Sequence, residues 1–260
     1  MNTEQIERAA NILKTARVAV QVIPSLPEDC RPANLQQAYA VRDRLIELLD
    51  WPTGGWFCAC TNQYIQQLLR LDEPYYSRLL ADFIRPSPAI LAADEFPPLV
   101  LECEFGFRLN RDLPSRPEPY TRAEVASAVD TVHPTIEVVA GHLEDWPSQD
   151  VFSVIADNGT DGALIVGAGR SDWQSLDLVQ MQVKLTVNGV QQRLGSGANV
   201  LGDPMTSLVW LVNALSRDGH GIKSGEVSNT GTATEIYWTE PGDNIRAEFV
   251  GLGVVELKLA

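Results

Sequence analysis

The sequence predicts an α+β fold built on mixed or antiparallel sheet, and three features carry that reading. Amphipathic helical stretches crowd the first third of the chain. Beyond residue 98 the texture changes to alternating and β-branched runs, which are strand-like. Those strands are not separated by regularly spaced helices, so a doubly wound βαβ array is not expected.

Taken in order, residues 3–17 and 34–50 read as helices. Asn34 is a good N-cap for the second, whose Leu35, Ala38, Tyr39, Leu45 and Leu48 recur at helical spacing. Prolines at 24, 27 and 32 mark the irregular connection between them. A third helical stretch follows Thr61 through Ile65, Leu68 and Leu69, ended by Asp72-Glu73-Pro74. The proline-rich segment 85–98 is the expected junction, dividing a smaller N-terminal part (1–85) from a β-rich domain (86–260). Within that domain 100–109, 175–189 and 244–259 read as strands, and Asn188-Gly189 signals a hairpin turn. Two helices interrupt them. One starts at Thr121, with Glu124 placed for a capping box, and is expected to reach about Val132. The other has Asp203 as N-cap, Pro204 at N1 and Gly219 near C′.

The chain has 260 residues, enough to bury a sizeable core, and its 45% hydrophobic and 21% charged content is that of an ordinary globular protein. With 34 acidic against 20 basic residues the formal charge is −14, which repels phosphate backbones and anionic lipid, so neither nucleic acid nor membrane is an expected partner. The first residues lack an apolar run typical of a secretory signal, and the four cysteines (Cys30, Cys58, Cys60, Cys103) form no CxxC pairs. They read as reduced thiols, and the expected location is cytoplasmic.

The run Glu102-Cys103-Glu104 lies within an otherwise buried-looking strand. Side chains alternate across a strand, so both carboxylates share one face and Leu101, Cys103, Phe105 and Phe107 share the other. Gly106 follows on the acidic face and leaves room there. Two confined carboxylates repel unless a cation neutralises them. Glu137 is a third acid, again in a β-branched run. Oxygen ligation of this kind selects Mg²⁺, Mn²⁺ or Ca²⁺ over zinc, although E-x-E by itself also suits the wet face of an edge strand. Other signals are weaker. Cys58-x-Cys60 has no second ligand cluster to complete a metal site, and Gly195-Ser196-Gly197 lacks the lysine of a phosphate loop. No G-x-S-x-G elbow supports a serine hydrolase. Asp157-Asn158 is adequately explained as a turn, and of the three histidines His142 is a candidate to orient the acidic site.

Several separated segments occur in a telling order: ECEFGFRLNRDLP, YTRAEVASAVDTVHPTIEVV, ADNGTDG, VLGDPMTSLVWLVNAL, IKSGEVSNTGT and PGDNIRAEFVGLG. Together they resemble the 2-keto-4-pentenoate hydratase and 4-oxalocrotonate decarboxylase branch of the fumarylacetoacetate hydrolase superfamily, over residues 30–258. The resemblance implies a fumarylacetoacetase C-terminal-like mixed β-roll with a smaller N-terminal α/β part. It implies that Glu102, Glu104 and Glu137 hold Mg²⁺ or Mn²⁺, and that Thr232, closing a T-G-[ST] segment, meets the substrate carboxylate. It also exposes two departures. Where the family carries a substrate-contacting lysine in G-[YW]-K-[IV]-G-x-T-S, this chain has Phe57 within Gly55-Trp56-Phe57-Cys58. Where relatives show D-x-P-D, it has Asp72-Glu73-Pro74-Tyr75. Phenylalanine moves no proton, and tyrosine, with a pKa of about 10, is a poor base at neutral pH.

The expected function is that of a hydro-lyase or carboxy-lyase: metal-dependent hydration or decarboxylation of a small 2-oxo (2-hydroxydienoate-type) acid through a stabilised enolate. The N-terminus of the helix after Asp203 is a further candidate for steering substrate anions. Phe57 and Tyr75 would line the substrate pocket and favour an uncharged tail, leaving no assigned catalytic acid or base. The alternatives are a catalytically silent homologue that binds a metabolite or partner subunit, and a metal-dependent C–C hydrolase. A homo-oligomer is expected.

Overall fold

The structure, a computed structural model, describes residues 1–97 and 99–260. Its helices are α1 (Thr3–Val18), α2 (Leu35–Leu49), α3 (Gln63–Leu69), α4 (Arg122–Ala128), α5 (Val151–Ala156) and α6 (Pro204–Arg217). The strands are β1 (Thr53–Ala59), β2 (Tyr75–Leu80), β3 (Ile84–Pro86), β4 (Ala89–Leu91), β5 (Val100–Leu109), β6 (Val129–Val139), β7 (Asp161–Val166), β8 (Gln182–Val187), β9 (Val190–Ser196), β10 (Val227–Thr232), β11 (Tyr237–Trp238), β12 (Asn244–Phe249) and β13 (Gly253–Leu259). One mixed sheet runs β2-β1-β10-β5-β6-β7-β3, with β11 also paired to β5, and a second runs β4-β13-β12-β8-β9. This is the α+β architecture the sequence predicts.

Two apolar cores flank the larger sheet. On one side Leu101, Cys103, Phe105 and Phe107 of β5 pack with Val183 and Leu185, Ala247 and Phe249 of the second sheet and Leu208 and Leu211 of α6. On the other, Val100, Val139 and Phe57 meet Leu13 of α1, Val41 and Leu45 of α2 and Val154 of α5. The period-two alternation of β5 thus divides its side chains between two buried environments, which is why the strand reads as almost continuously apolar.

The capping residues read from the sequence act as expected for three helices. Asn34 accepts from Gln37 N, Thr121 and Glu124 form a capping box, and Asp203 accepts from Met205 N ahead of Pro204. Two expectations need correction. The helix begun at Thr121 ends at Ala128 rather than Val132, because Val129, Thr131 and Val132 pair with β5 in the ladder that continues to Val139. The β-branched residues there satisfy their backbone groups by cross-strand pairing. The stretch 175–189 is strand only over 182–187; before it, Asp177 accepts from Gln180 N, and the carbonyls of Val179 and Met181 accept from Ala198 and Gly197. The strand-like stretch 244–259 forms two antiparallel strands, β12 and β13. The junction 85–98 contains the short strands β3 and β4, and Pro98 lies outside the described residues.

Candidate metal centre

Three neighbouring strands build the site. Glu102 of β5 stands directly opposite Glu137 of β6, and Glu104 pairs with Thr135 on β6 and with Thr232 on β10. Directly paired residues project to the same face of a sheet, and Glu102 and Glu104 are two apart, so all three carboxylates share the helix-covered side. One oxygen from each lies within 4.8 Å of the others. Glu104 and Glu137 are buried and Glu102 is partly buried.

Few groups soften that concentration of charge. Asn229 Nδ2 donates to Glu137 Oε2 at 2.5 Å, and the N–H of Gly231 donates to Glu104 Oε2 at 2.8 Å. Gly231 sits at φ +84°, and a Cβ there would come within 2.0 Å of Thr61 Oγ1, so only glycine aims that amide at the carboxylate. Among the described residues no Lys, Arg or His side chain neutralises the triad. Burial pushes Glu102 up to about 7. Burial, then the charges of Glu137 and Glu102, raise Glu104 well above the usual carboxylate range, and burial with the charges of Glu102 and Asp161 does the same to Glu137. Asn229 Oδ1 is buried without a hydrogen-bond partner beside them. An all-oxygen donor set, short of positive charge and with a spare amide oxygen at hand, fits a hard divalent cation.

The triad opens on a small cavity of about 20 Å³, lined on its acidic side by Glu102, Glu137 and Thr232. That is room for about one water. Phe57, Tyr75, Ile65, Leu69, Val139 and Trp146 also line it. Phe57 and Tyr75 are diagonal neighbours on β1 and β2, since Phe57 pairs with Ser77 and Ala59 with Tyr75. Both rings press on Gly159, at φ +62°, where a Cβ would lie 2.9 Å from each. Burial, first, and the charges of Cys60, Glu102 and Glu137 hold the Tyr75 phenol well above its usual range, so it stays protonated, a hydrogen-bond donor and not a base.

The remaining sequence candidates divide. Thr232 lines the cavity, but its hydroxyl donates to Thr234 O at 3.0 Å. Asp203 is engaged with Met205 N and the Arg122 guanidinium, and the helix it caps contributes no lining residue. His142 turns away to Asp157, whose Oδ2 takes both its backbone N–H (2.8 Å) and Nδ1 (3.2 Å). Sequence reasoning missed Asn229, the Gly231 amide, Thr160 and Trp146. Period-two counting from the buried Val227 would have put Asn229 on the site face, whereas nothing local marks Trp146, which a loop beyond β6 brings in.

The fold and the acidic face are those of one protein class. Residues 62–260 match the family described as fumarylacetoacetate (FAA) hydrolase C-terminal, and the chain belongs to that family. Within it the chain is 31% identical over 259 residues to the 2-keto-4-pentenoate hydratase of Paraburkholderia xenovorans (strain LB400), covering 98% of this chain and 95% of that one. It is 28% identical over 255 residues to the 4-oxalocrotonate decarboxylase of Pseudomonas sp. (strain CF600), covering 97% and 96%. The solved structure of 4-oxalocrotonate decarboxylase from Pseudomonas putida G7, complexed with magnesium and adipate, superposes with a TM-score of 0.91 at 27% identity over 100% of this chain and 99% of that one. The branch that the sequence motifs resemble is therefore the right one.

Proposed function

We propose that this chain is a Mg²⁺- or Mn²⁺-dependent hydratase or decarboxylase of a small 2-oxo acid, with Glu102, Glu104 and Glu137 as the metal ligands. The observation that carries the reading is the convergence of three carboxylates within 4.8 Å and without a counter-cation. When bound, the cation supplies Lewis-acid stabilisation to the enolate charge that develops on a 2-oxo acid. The chain's own groups do the rest. Asn229 and the Gly231 amide fix the orientation of Glu137 and Glu104. Phe57, Ile65, Leu69 and Trp146 exclude water from the reacting carbons, which strengthens every electrostatic interaction at the site. Tyr75, held protonated, can offer a hydrogen bond to a substrate oxygen but not act as a base, and the lysine of relatives has no counterpart here.

Phe57, which can neither donate nor accept a proton, favours the second reading: a homologue that binds a metabolite or supports a partner subunit without turnover.

Calorimetry with Mn²⁺ tests the ligand set. Glu104→Gln and Glu137→Gln are each expected to abolish stoichiometric uptake while the circular dichroism of the fold is retained. Equal uptake by wild type and both variants would sink the assignment. A screen of 2-oxo acids with the metal-loaded protein, following enolate absorbance, carbon dioxide release and hydration separately, distinguishes enzyme from silent homologue.

A further inference from the structure

Tyr75 lines the cavity from β2, its ring lying diagonally beside Phe57. The residue is 3% exposed. Its hydroxyl makes no hydrogen bond to any described residue, yet it is not one of the polar atoms sealed from solvent without a partner, as Trp146 Nε1 is. An oxygen that is neither paired nor sealed, on a ring this deeply buried, opens on the cavity the ring lines. The other hydroxyls and the thiol around that space are engaged elsewhere. Thr61 donates to Thr230 O, Thr160 to Gly159 O, Thr232 to Thr234 O and Cys60 to Leu71 O. No Lys, Arg or His lines the cavity among the described residues. Glu102 and Glu137, when ionised, only accept hydrogen bonds. Among the lining side chains, the Tyr75 O–H is therefore the one donor left to meet an incoming oxygen.

We propose that Tyr75 is a catalytic residue, whose hydroxyl donates a hydrogen bond to the 2-oxo oxygen of the substrate and strengthens as that oxygen takes on enolate charge. This rests on the 2-oxo acid reading given above and deepens it. A hydrogen bond to an anionic oxygen is roughly twice as strong as one to a neutral carbonyl. The contact thus favours the enolate over the keto acid it forms from, and an interaction that grows toward the transition state is the kind that raises a rate. Phe57, Ile65 and Leu69 offer the phenol no competing partner, and a donor in an apolar wall acts more strongly than one in water. The phenolic proton stays on its oxygen throughout, so protons moved to or from carbon do not pass through Tyr75. Hydration and decarboxylation both proceed through an enolate in this reading, so the role is the same for either.

The test uses pyruvate and oxalate as probes on the Mg²⁺-loaded protein. Both are small chelating acids, and oxalate carries anionic oxygen where the enolate of pyruvate does. By calorimetry, Tyr75→Phe is expected to weaken oxalate by about tenfold or more and pyruvate by about threefold or less, the ranges for charged and neutral acceptors. Mn²⁺ affinity is expected to stay within about twofold of wild type, because the change removes a hydroxyl and no metal ligand. A second measurement needs no variant and decides the matter if Tyr75→Phe fails to fold. Tyr75 is the one tyrosine lining the cavity among the described residues. With tyrosines carbon-13-labelled at Cζ, the resonance broadened most when Mn²⁺ replaces Mg²⁺ is expected to shift on adding oxalate, and by less on adding pyruvate. If Tyr75→Phe lowers both affinities by the same factor or lowers neither, or if that resonance ignores oxalate, the inference is wrong and the 2-oxo acid reading stands. If the metal-loaded wild type binds neither probe, the 2-oxo acid reading fails and the inference with it.

Discussion

Phe57 and Tyr75 decide more about this site than their small number suggests. A lysine at 57 would put a desolvated cation into a cavity walled by Glu102 and Glu137, where burial disfavours its charge and the carboxylates favour it. We expect Phe57→Lys with Tyr75→Asp to raise turnover of a 2-hydroxydienoate substrate by more than the product of the single changes, since proton-transfer groups act as a unit. Steady-state kinetics of the four proteins is the check, and a wild type already turning over at ordinary enzymatic rates, about 1–10³ s⁻¹, would show that neither group is needed. Gly231 is the other sensitive residue. Gly231→Ala forces a Cβ onto Thr61 Oγ1 from a left-handed backbone, so it should destabilise by more than the roughly 1 kcal/mol that a conformationally compatible Gly→Ala change gains. It should also weaken Mn²⁺ binding by misplacing the amide that holds Glu104; chemical denaturation and calorimetry together measure both.

Helix α1 is tied to the loop between α5 and β7 by a buried charge cluster. Arg17 donates to Asp161 O at 2.8 Å and to Asp157 O at 3.1 Å, and meets Asp157 Oδ1 at 3.3 Å. Burial would raise the Asp157 carboxyl, but the charges of His142 and Arg17 and the hydrogen bonds from His142 outweigh it and hold it below the usual value. A carboxylate with a depressed folded pKa contributes stability above its unfolded pKa and loses it as pH falls through the folded value. Asp157→Asn, which leaves Arg17 buried and unpaired, is therefore expected to cost about 3–5 kcal/mol at neutral pH. The gap to wild type should narrow once the pH drops below the ordinary aspartate value of 3.8. Urea unfolding across that range is the measurement, and a gap independent of pH would contradict it. Asp161 has the opposite sign: burial pushes it up to about 7, so its burial costs stability increasingly as pH rises from 3.8 through that value.

At the scale of the molecule, the second sheet ends in two unpaired edges that present apolar side chains to solvent. Ile90 on β4 is 67% exposed, and Val190 and Leu194 on β9 are 61% and 57% exposed. Uncovered edges of this kind invite pairing with another chain. We propose that the protein is a homo-oligomer assembled through this sheet; light scattering at micromolar concentration is expected to exceed the monomer mass of 28.6 kDa, and a purely monomeric signal would refute it. No helix among the described residues is long and apolar enough to cross a membrane.

By itself the sequence determined the elements whose signals are local: the caps at Asn34, Thr121 and Asp203, the Asn188-Gly189 turn, and the shared face of Glu102 and Glu104, because capping and pleat depend only on near neighbours. It also carried the family in the order of its motifs. What tertiary structure decided is everything that depends on which strand lies beside which. The register that sets Glu137 against Glu102 joins residues 35 positions apart. Strand pairing also cut short the helix after Thr121, and the left-handed Gly231 turned an amide onto Glu104. Trp146 reached the cavity from a loop with no periodicity to announce it. A local pattern fixes the direction in which a side chain points along its own element, while long-range pairing fixes what it meets there.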